Sequence, residues 1–362
     1  MEEWKEYKLG EITVMKNGKK RPQVEGRYPV YGGNGIMDYS NDFNSEKVII
    51  VGRVGAYCGC VYKCDEKCWV SDNAIAVLPK DIVDYHFLFY LMSNLDFHHH
   101  HIGGAQPLMT QDIIGDFNIN LPSLKVQQKI ASILKSLDDK IEVNRRINEN
   151  LEQQAQALFN EVLMDTKLPR NRFLKDYAFV NPTRSIKKGE IARYIDMSSL
   201  PTKGSFPSDW VDKPYNGGMK FQNGDTLMAR ITPCLENGKT AYINFLNKDE
   251  IAFGSTEYIV MAPHDGIPSE MFYFLARNED FVSYAVAHMN GSSGRQRVSA
   301  SDIENYIMPD IPPHQIEQFG MKAKAIMEKI KTNSLESRSL ATLRDTLLPK
   351  LMSGELKVNE VA

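Results

Sequence analysis

Proline and glycine are both missing from residues 125–164 of this 362-residue chain. Proline breaks helices and glycine weakens them, so a stretch of 40 residues without either is free to form one continuous helix. Other absences bound the function. No run approaches 18 apolar residues, which excludes a hydrophobic transmembrane helix. The first residues, Met1-Glu2-Glu3-Trp4-Lys5, are acidic and lack an apolar core, so no signal peptide is expected and the expected compartment is the cytoplasm. There is no excess of positive charge, the formal net charge being −3, so any nucleic-acid site must be a local basic patch. Composition is otherwise ordinary, with 42% hydrophobic and 25% charged residues, and the length suits about two domains.

Catalytic signatures are also missing. No glycine-rich cofactor turn accompanies a Pro-Pro-aromatic clamp, since the single Pro312-Pro313 pair is followed by His314 and opens a helical pattern. Gly238-Lys239-Thr240 resembles the end of a phosphate loop, but Pro233 stands where that motif has glycine. Pro309-Asp310 and Glu355-Leu356-Lys357 echo a nuclease box while flanking a long helical stretch, which would have to fold back to join them. No catalytic residue is assigned, and the chain reads as a binding protein. Cysteine is scarce. Four of the five residues, Cys58, Cys60, Cys64 and Cys68, are spaced C-x-C-x₃-C-x₃-C, unlike the paired knuckles of a zinc site, and are expected to be small buried residues holding no metal. Cys58 and Cys60 would share one face of a strand. His98, His99, His100 and His101 read as an exposed helix end.

What is present is a pair of long amphipathic stripes. Ile130, Leu137, Leu151 and Leu158 fall on one seven-residue ladder, and Leu134, Ile141, Ala155 and Val162 on the next. Residues 316–351 repeat the pattern with Ile316, Phe319, Ala323, Ile326, Ile330, Leu340, Leu347 and Leu351. Each stripe needs a partner of comparable length, so the two are expected to pair. Asn144, Asn148 and Asn333 interrupt the ladders, either as register pins or as marks of a wet section.

The chain also repeats itself. The segment beginning Ser71-Asp72-Asn73 and reaching Pro79 aligns with the segment beginning Ser255-Thr256-Glu257 and reaching Pro263, an offset of 184 residues. Further on the offset reads as 190, matching Gln106 with Gln296 and Asp112-Ile113 with Asp302-Ile303. Each repeat is a β-leaning globular part followed by a long helix. In the first, residues 28–35 read as a tight-turned hairpin, 48–51 and 70–78 as buried strands, and 86–95 as a short helix. In the second, residues 225–231 and 239–245 read as strands and 272–276 as the start of the matching helix.

Positive charge clusters at corresponding stages of the two repeats. Lys19, Lys20 and Arg21 lie near the start of the first, and Arg184, Lys187 and Lys188 near the start of the second. Arg53, Arg230, Lys239, Arg295 and Arg297 lie in or beside turns. Lysine and arginine neutralise phosphates, while arginine, Asn34 and Gln106 have the donors to read base edges. These thirteen residues are the candidate DNA-binding set.

Four segments carry a family likeness: Tyr31-Gly32-Gly33-Asn34-Gly35, Gly52-Arg53-Val54-Gly55, Leu121-Pro122-Ser123 with Gln127-Gln128-Lys129-Ile130, and Leu348-Pro349-Lys350-Leu351-Met352-Ser353-Gly354-Glu355-Leu356. Together they resemble the specificity subunit of type I restriction-modification systems, over essentially the whole chain. The resemblance implies an α+β fold with a pseudo-two-fold repeat: two β-rich target recognition domains (1–122 and 165–311) separated by two long helices (123–164 and 312–353) paired as an antiparallel coiled coil, with a tail at 354–362. It implies a non-catalytic subunit that reads a bipartite duplex, one domain per half-site. Modification subunits using S-adenosylmethionine, and restriction subunits using ATP and magnesium, would dock on it; no cofactor is expected in this chain and no membrane contact. The alternative is a non-enzymatic coiled-coil scaffold with two protein-binding modules.

One expectation follows from helix geometry. A helix of 40 residues is about 60 Å long at roughly 1.5 Å per residue, and four more residues in each helix add about 6 Å, close to two base pairs. That insertion should widen the spacer between half-sites and leave both halves unchanged, which sequencing of bound or methylated targets would read directly. Altered halves with a fixed spacer would refute the ruler.

Overall fold

In the computed structural model the described residues are 4–22, 25–103, 107–165, 167–292 and 294–358. They form two compact units: Met1–Lys140 with Ser339–Ala362, and Ile141–Arg338.

Unit 1 runs β1 (Lys5–Lys8), α1 (Leu9–Ile12), β2 (Thr13–Asn17), β3 (Tyr28–Gly32), β4 (Gly35–Ser40), β5 (Ser45–Gly52), β6 (Val61–Val70), β7 (Ala74–Pro79), α2 (Tyr85–Ser93), α3 (Gln111–Gly115), β8 (Asn118–Leu121) and the start of α4 (Leu124–Leu163). Its main sheet has the order β2-β7-β5-β6-β3-β4. The apolar run Val48-Ile49-Ile50-Val51 is buried on both faces of this sheet. Ile49 and Val51 face one core with α2, while Val48 and Ile50 face a second with Tyr31 and Val70. Alternation along a strand puts neighbours on opposite faces, and a sheet covered on both sides hides it as a continuous hydrophobic run. The expected strand 70–78 is corrected: a turn at Ser71–Asn73 splits β6 from β7.

Unit 2 takes the rest of α4, then β9 (Arg172–Phe173), β10 (Ala178–Val180), β11 (Ile191–Ile195), β12 (Val211–Pro214), β13 (Met219–Phe221), β14 (Thr226–Ala229), β15 (Thr240–Tyr242), β16 (Ala252–Gly254), β17 (Tyr258–Pro263), α5 (Glu270–Ala276), α6 (Glu279–Ala287), α7 (Ala300–Glu304), β18 (Ile307–Met308) and α8 (Pro313–Ser353), whose last residues belong to unit 1. Its two four-stranded sheets have the orders β10-β17-β14-β15 and β12-β11-β16-β13.

The internal repeat is visible bond by bond. Leu9 N–H donates to Phe117 O as Leu174 N–H donates to Tyr306 O, both at 2.9 Å. Lys80 N–H reaches Ile12 O as His264 N–H reaches Tyr177 O, again at 2.9 Å. β3 lies parallel to β6 as β11 lies parallel to β16. The later offset is corrected by one residue. Thr110 caps α3 and Ser299 caps α7, and the isoleucine buried four residues after each cap is Ile114 in one unit and Ile303 in the other. The counterpart of Ile303 is therefore Ile114, at an offset of 189. Much of the extra length in unit 2 sits where unit 1 has the short turn Phe97–His100 and unit 2 has the full helix α6.

Each unit packs parts of both long helices. In unit 1, Ile130, Ala131 and Leu134 of α4 share a core with Leu347, Leu351 and Met352 of α8. In unit 2, Ala155, Phe159 and Leu163 share one with Ile316, Phe319, Ala323, Met327 and Ile330, with Leu151, Leu158 and Ile326 packed against its edge. The helices run antiparallel there: Asn144 bonds Asn333 O, Asn148 bonds Ile330 O, and Phe159 meets Phe319. Leu137, Ile141 and Leu340 are only half-buried. The ladder reading of Leu158 is corrected, since Phe159 takes the buried place. A straight helix drifts about 20° per heptad against a strict seven-residue repeat, and here α4 also packs on α5, which turns the buried sector.

The asparagines are bonded to one another across the pair. Asn144 and Asn333 are buried; Asn144 Nδ2 donates to Glu336 Oε2 at 2.7 Å, Asn333 Nδ2 to Asn148 Oδ1 at 2.8 Å, and Asn148 Nδ2 to Ser334 Oγ at 3.1 Å. A one-turn slip would strand these buried amides, so they act as register pins.

Two of the family-like segments have local physical reasons. Buried Gln127 ties the start of α4 to the turn before α2, donating to Ile82 O and Pro122 O and accepting from Asp84 N–H. Gly354 ends α8 with a φ of +74°, and a Cβ there would lie 3.2 Å from the Trp4 ring. Both the backbone and the ring favour glycine at this helix end.

Candidate nucleic-acid interface

In unit 1 the strand ends hold the basic residues. Lys19 has its backbone fixed, its N–H on Val70 O at 3.0 Å and its carbonyl accepting from Trp69 Nε1 at 3.1 Å, while the side chains of Lys19 and Lys20 are exposed. Arg21 pairs with Asp38 at 3.0 Å in an exposed contact of little energetic weight. Asn34 is exposed at the tip of the β3–β4 hairpin. Arg53 follows β5, half-buried, with Nη1 3.3 Å from Asp72 O. Gln106 lies outside the described residues.

In unit 2, Lys187 and Lys188 are exposed ahead of β11, and Arg295 is exposed beyond Gly294. Arg184 is a correction: its guanidinium is buried against Asp225 at 2.7 Å, with side chains 9% and 2% exposed, so it holds the fold and is withdrawn from the interface. Lys239 is half-buried and donates to Met197 O at 2.8 Å. Arg297 grips both carboxylate oxygens of Glu257, from Nε at 3.0 and 2.9 Å and from Nη2 at 2.7 Å. That pairing holds the Glu257 carboxyl below its ordinary range and offsets the positive charge of Arg297.

Arg53 and Arg230 occupy the same place in the two units. Arg53 N–H donates to Asn73 O at 2.9 Å, its carbonyl accepts from Met109 N–H at 2.8 Å, and Gly55 N–H donates to Pro107 O at 3.1 Å. Arg230 N–H donates to Glu257 O at 3.0 Å, its carbonyl accepts from Val298 N–H at 3.0 Å, and Thr232 N–H donates to Gln296 O at 3.1 Å. The next residues bridge alike, Val54 to Leu108 and Ile231 to Arg297. Sequence comparison missed this equivalence because loops of different length precede the two arginines. Their shared position at the end of a buried strand was the available signal.

The cysteines do not converge. Cys58 ends the short turn Gly55–Tyr57, not a strand, and joins the core with α2, whereas Cys64 and Cys68 join the core on the other side of the sheet. No group of three or more His, Cys, Asp and Glu side chains is placed to hold a metal ion among the described residues. His98, His99 and His100 are exposed in a short 3₁₀ turn, with His98 Nδ1 on Cys58 O at 3.0 Å. No helix among the described residues is long and apolar enough to cross a membrane.

Residues 1–153 match the family model for the type I restriction modification DNA specificity domain. The HindI specificity subunit of Haemophilus influenzae is 23% identical, the match covering 79% of each chain. The MjaIX specificity subunit of Methanocaldococcus jannaschii is 26% identical over 79% of this chain and 72% of its own. A type I system S subunit from M. genitalium shares the fold, with a TM-score of 0.66 at 16% identity, covering 97% of this chain and 96% of that one. With a repeat of α+β units and two long helices, the chain is similar in sequence to specificity subunits of type I restriction-modification systems, its first 153 residues matching that family's domain, and it shares the fold of an S subunit.

Proposed function

We propose that this chain reads a bipartite duplex target, one unit per half-site, and docks the modification and restriction subunits of its system. The carrying observation is that a chain similar to this family repeats one backbone frame in both units, and that each unit also carries exposed lysines. Methylation with S-adenosylmethionine and magnesium- and ATP-dependent cleavage reside in the partners; this chain contributes recognition and operates in the cytoplasm.

Filter binding to random duplex at low salt tests the reading, because phosphate contacts dominate non-specific affinity. Binding is expected, with log affinity falling linearly against log salt. Changing Lys19, Lys20 and Arg21 together to Ala should lower affinity and flatten that slope by up to about 0.9 for each of three contacts. Absence of duplex binding at any salt would favour the scaffold with two protein-binding modules.

A further inference from the structure

The two arginines in equivalent frames have a consequence for how each half-site is held. Around Arg53, the positions equivalent to Glu257 and Arg297 are filled by Asn73 and Leu108. Unit 2 thus carries an ion pair where unit 1 carries two uncharged side chains. In both units an arginine ends the buried strand inside this frame: Arg53 reaches the carbonyl of Asp72, and Arg230 acts on the Glu257 carboxylate, helping to lower its pKa. The Nε of Arg230 is buried without a partner, so part of its hydrogen-bonding capacity is unused within the unit.

A residue kept at one place in two diverged units points to a target both half-sites share. Base sequence differs between half-sites, but the phosphate backbone does not, and contacts to it set position without carrying sequence information. The differing neighbours, Asn73 against the Glu257–Arg297 pair, sit where the two units would diverge in what they read. Three backbone hydrogen bonds fix the frame, so each arginine starts from a fixed position and little ordering is needed on binding.

We propose that Arg53 and Arg230 are paired phosphate anchors, making the same backbone contact in the two half-sites. This rests on the DNA-reading function above. The test uses the full chain, with Arg53→Gln, Arg230→Gln and the double variant, titrated against random duplex and against a panel of bipartite duplexes across a salt series. Each single change is expected to weaken binding to every duplex by about tenfold and to reduce the salt slope by about one, and the double change by about two. The ranking of the duplexes should be unchanged, and thermal melting should match the unaltered chain. A relaxed ranking at one half-site with an unchanged salt slope would make the residue a base reader and overturn the proposal. Unchanged affinity in a well-folded variant would remove the residue from the interface. If the unaltered chain fails to bind duplex at all, the broader function falls instead, so the two failures are distinguishable.

Discussion

Replacing Arg184 with Met should destabilise unit 2 by about 3–5 kcal/mol at pH 8, and by clearly less at pH 5. Asp225 is the reason. Its carboxyl is almost wholly buried, and burial pushes it up to about 6 from an ordinary 3.8 while the Arg184 guanidinium at 2.7 Å pulls the other way. Without the guanidinium, burial acts alone and the carboxyl rises further. A group whose folded pKa lies above its unfolded value contributes its stability below the unfolded pKa and loses it as pH rises through the folded one. The unaltered unit should therefore lose stability between about pH 4 and 6, and the variant should go on losing it above that. Urea unfolding at both pH values reads this out, with Trp4 and Trp69 changed to Phe so that Trp210 reports unit 2 alone.

Adding Asp225→Asn separates a buried charge from a lost contact. Asn keeps an oxygen for the Gln222 N–H, which now donates to Asp225 Oδ2 at 2.7 Å, and carries no charge. The Arg184→Met, Asp225→Asn pair should recover most of the loss at pH 8 and show little pH dependence in this window, because removing both ions leaves no uncompensated charge. An equal loss at both pH values, not relieved by the second change, would mean that Arg184 matters through packing.

Arg184 also shows why the fold was easier to read than the site. The long helices announce themselves locally, through a seven-residue period and, in α4, the absence of proline and glycine, and β5 does so through four apolar residues in a row. The strand β6 does not: it contains Lys63, Asp65, Glu66 and Lys67, and it is held by pairing with β5, an influence from outside the segment. Arg184 sits among lysines in a sequence that looks like surface. Its partner Asp225 is 41 residues away, and nothing local signals that the two meet. The reverse holds for Arg53 and Arg230. Each was visible as an arginine beside a turn, but their equivalence depends on hydrogen bonds to Met109 and Val298, far along the chain. Charged residues alone do not reveal whether they face solvent, a carboxylate or a ligand.

Phe159→Ala should cost unit 2 about 3–5 kcal/mol, and Leu158→Ala roughly 1–2 kcal/mol. The seven-residue ladder would rank them the other way, because it places Leu158 in the seam. Phe159 is fully buried, its ring 5.8 Å from Phe319 of α8 and 6.4 Å from Phe274 of α5, and Phe274 lies 6.0 Å from Phe319. Three rings from three helices thus meet in one cluster, with edge-on geometry at two of the three contacts. Truncating the ring removes apolar burial, opens a cavity between close-packed helices, and forfeits about 0.5–1.5 kcal/mol for each aromatic pair. Leu158 is only half-buried at the edge of the same core, so its loss lets solvent in without leaving a void. Urea midpoints read from Trp210 in the same tryptophan background give the order. A larger loss at Leu158 would restore the simple two-helix seam and exclude the three-helix junction that α4 makes with α5 and α8.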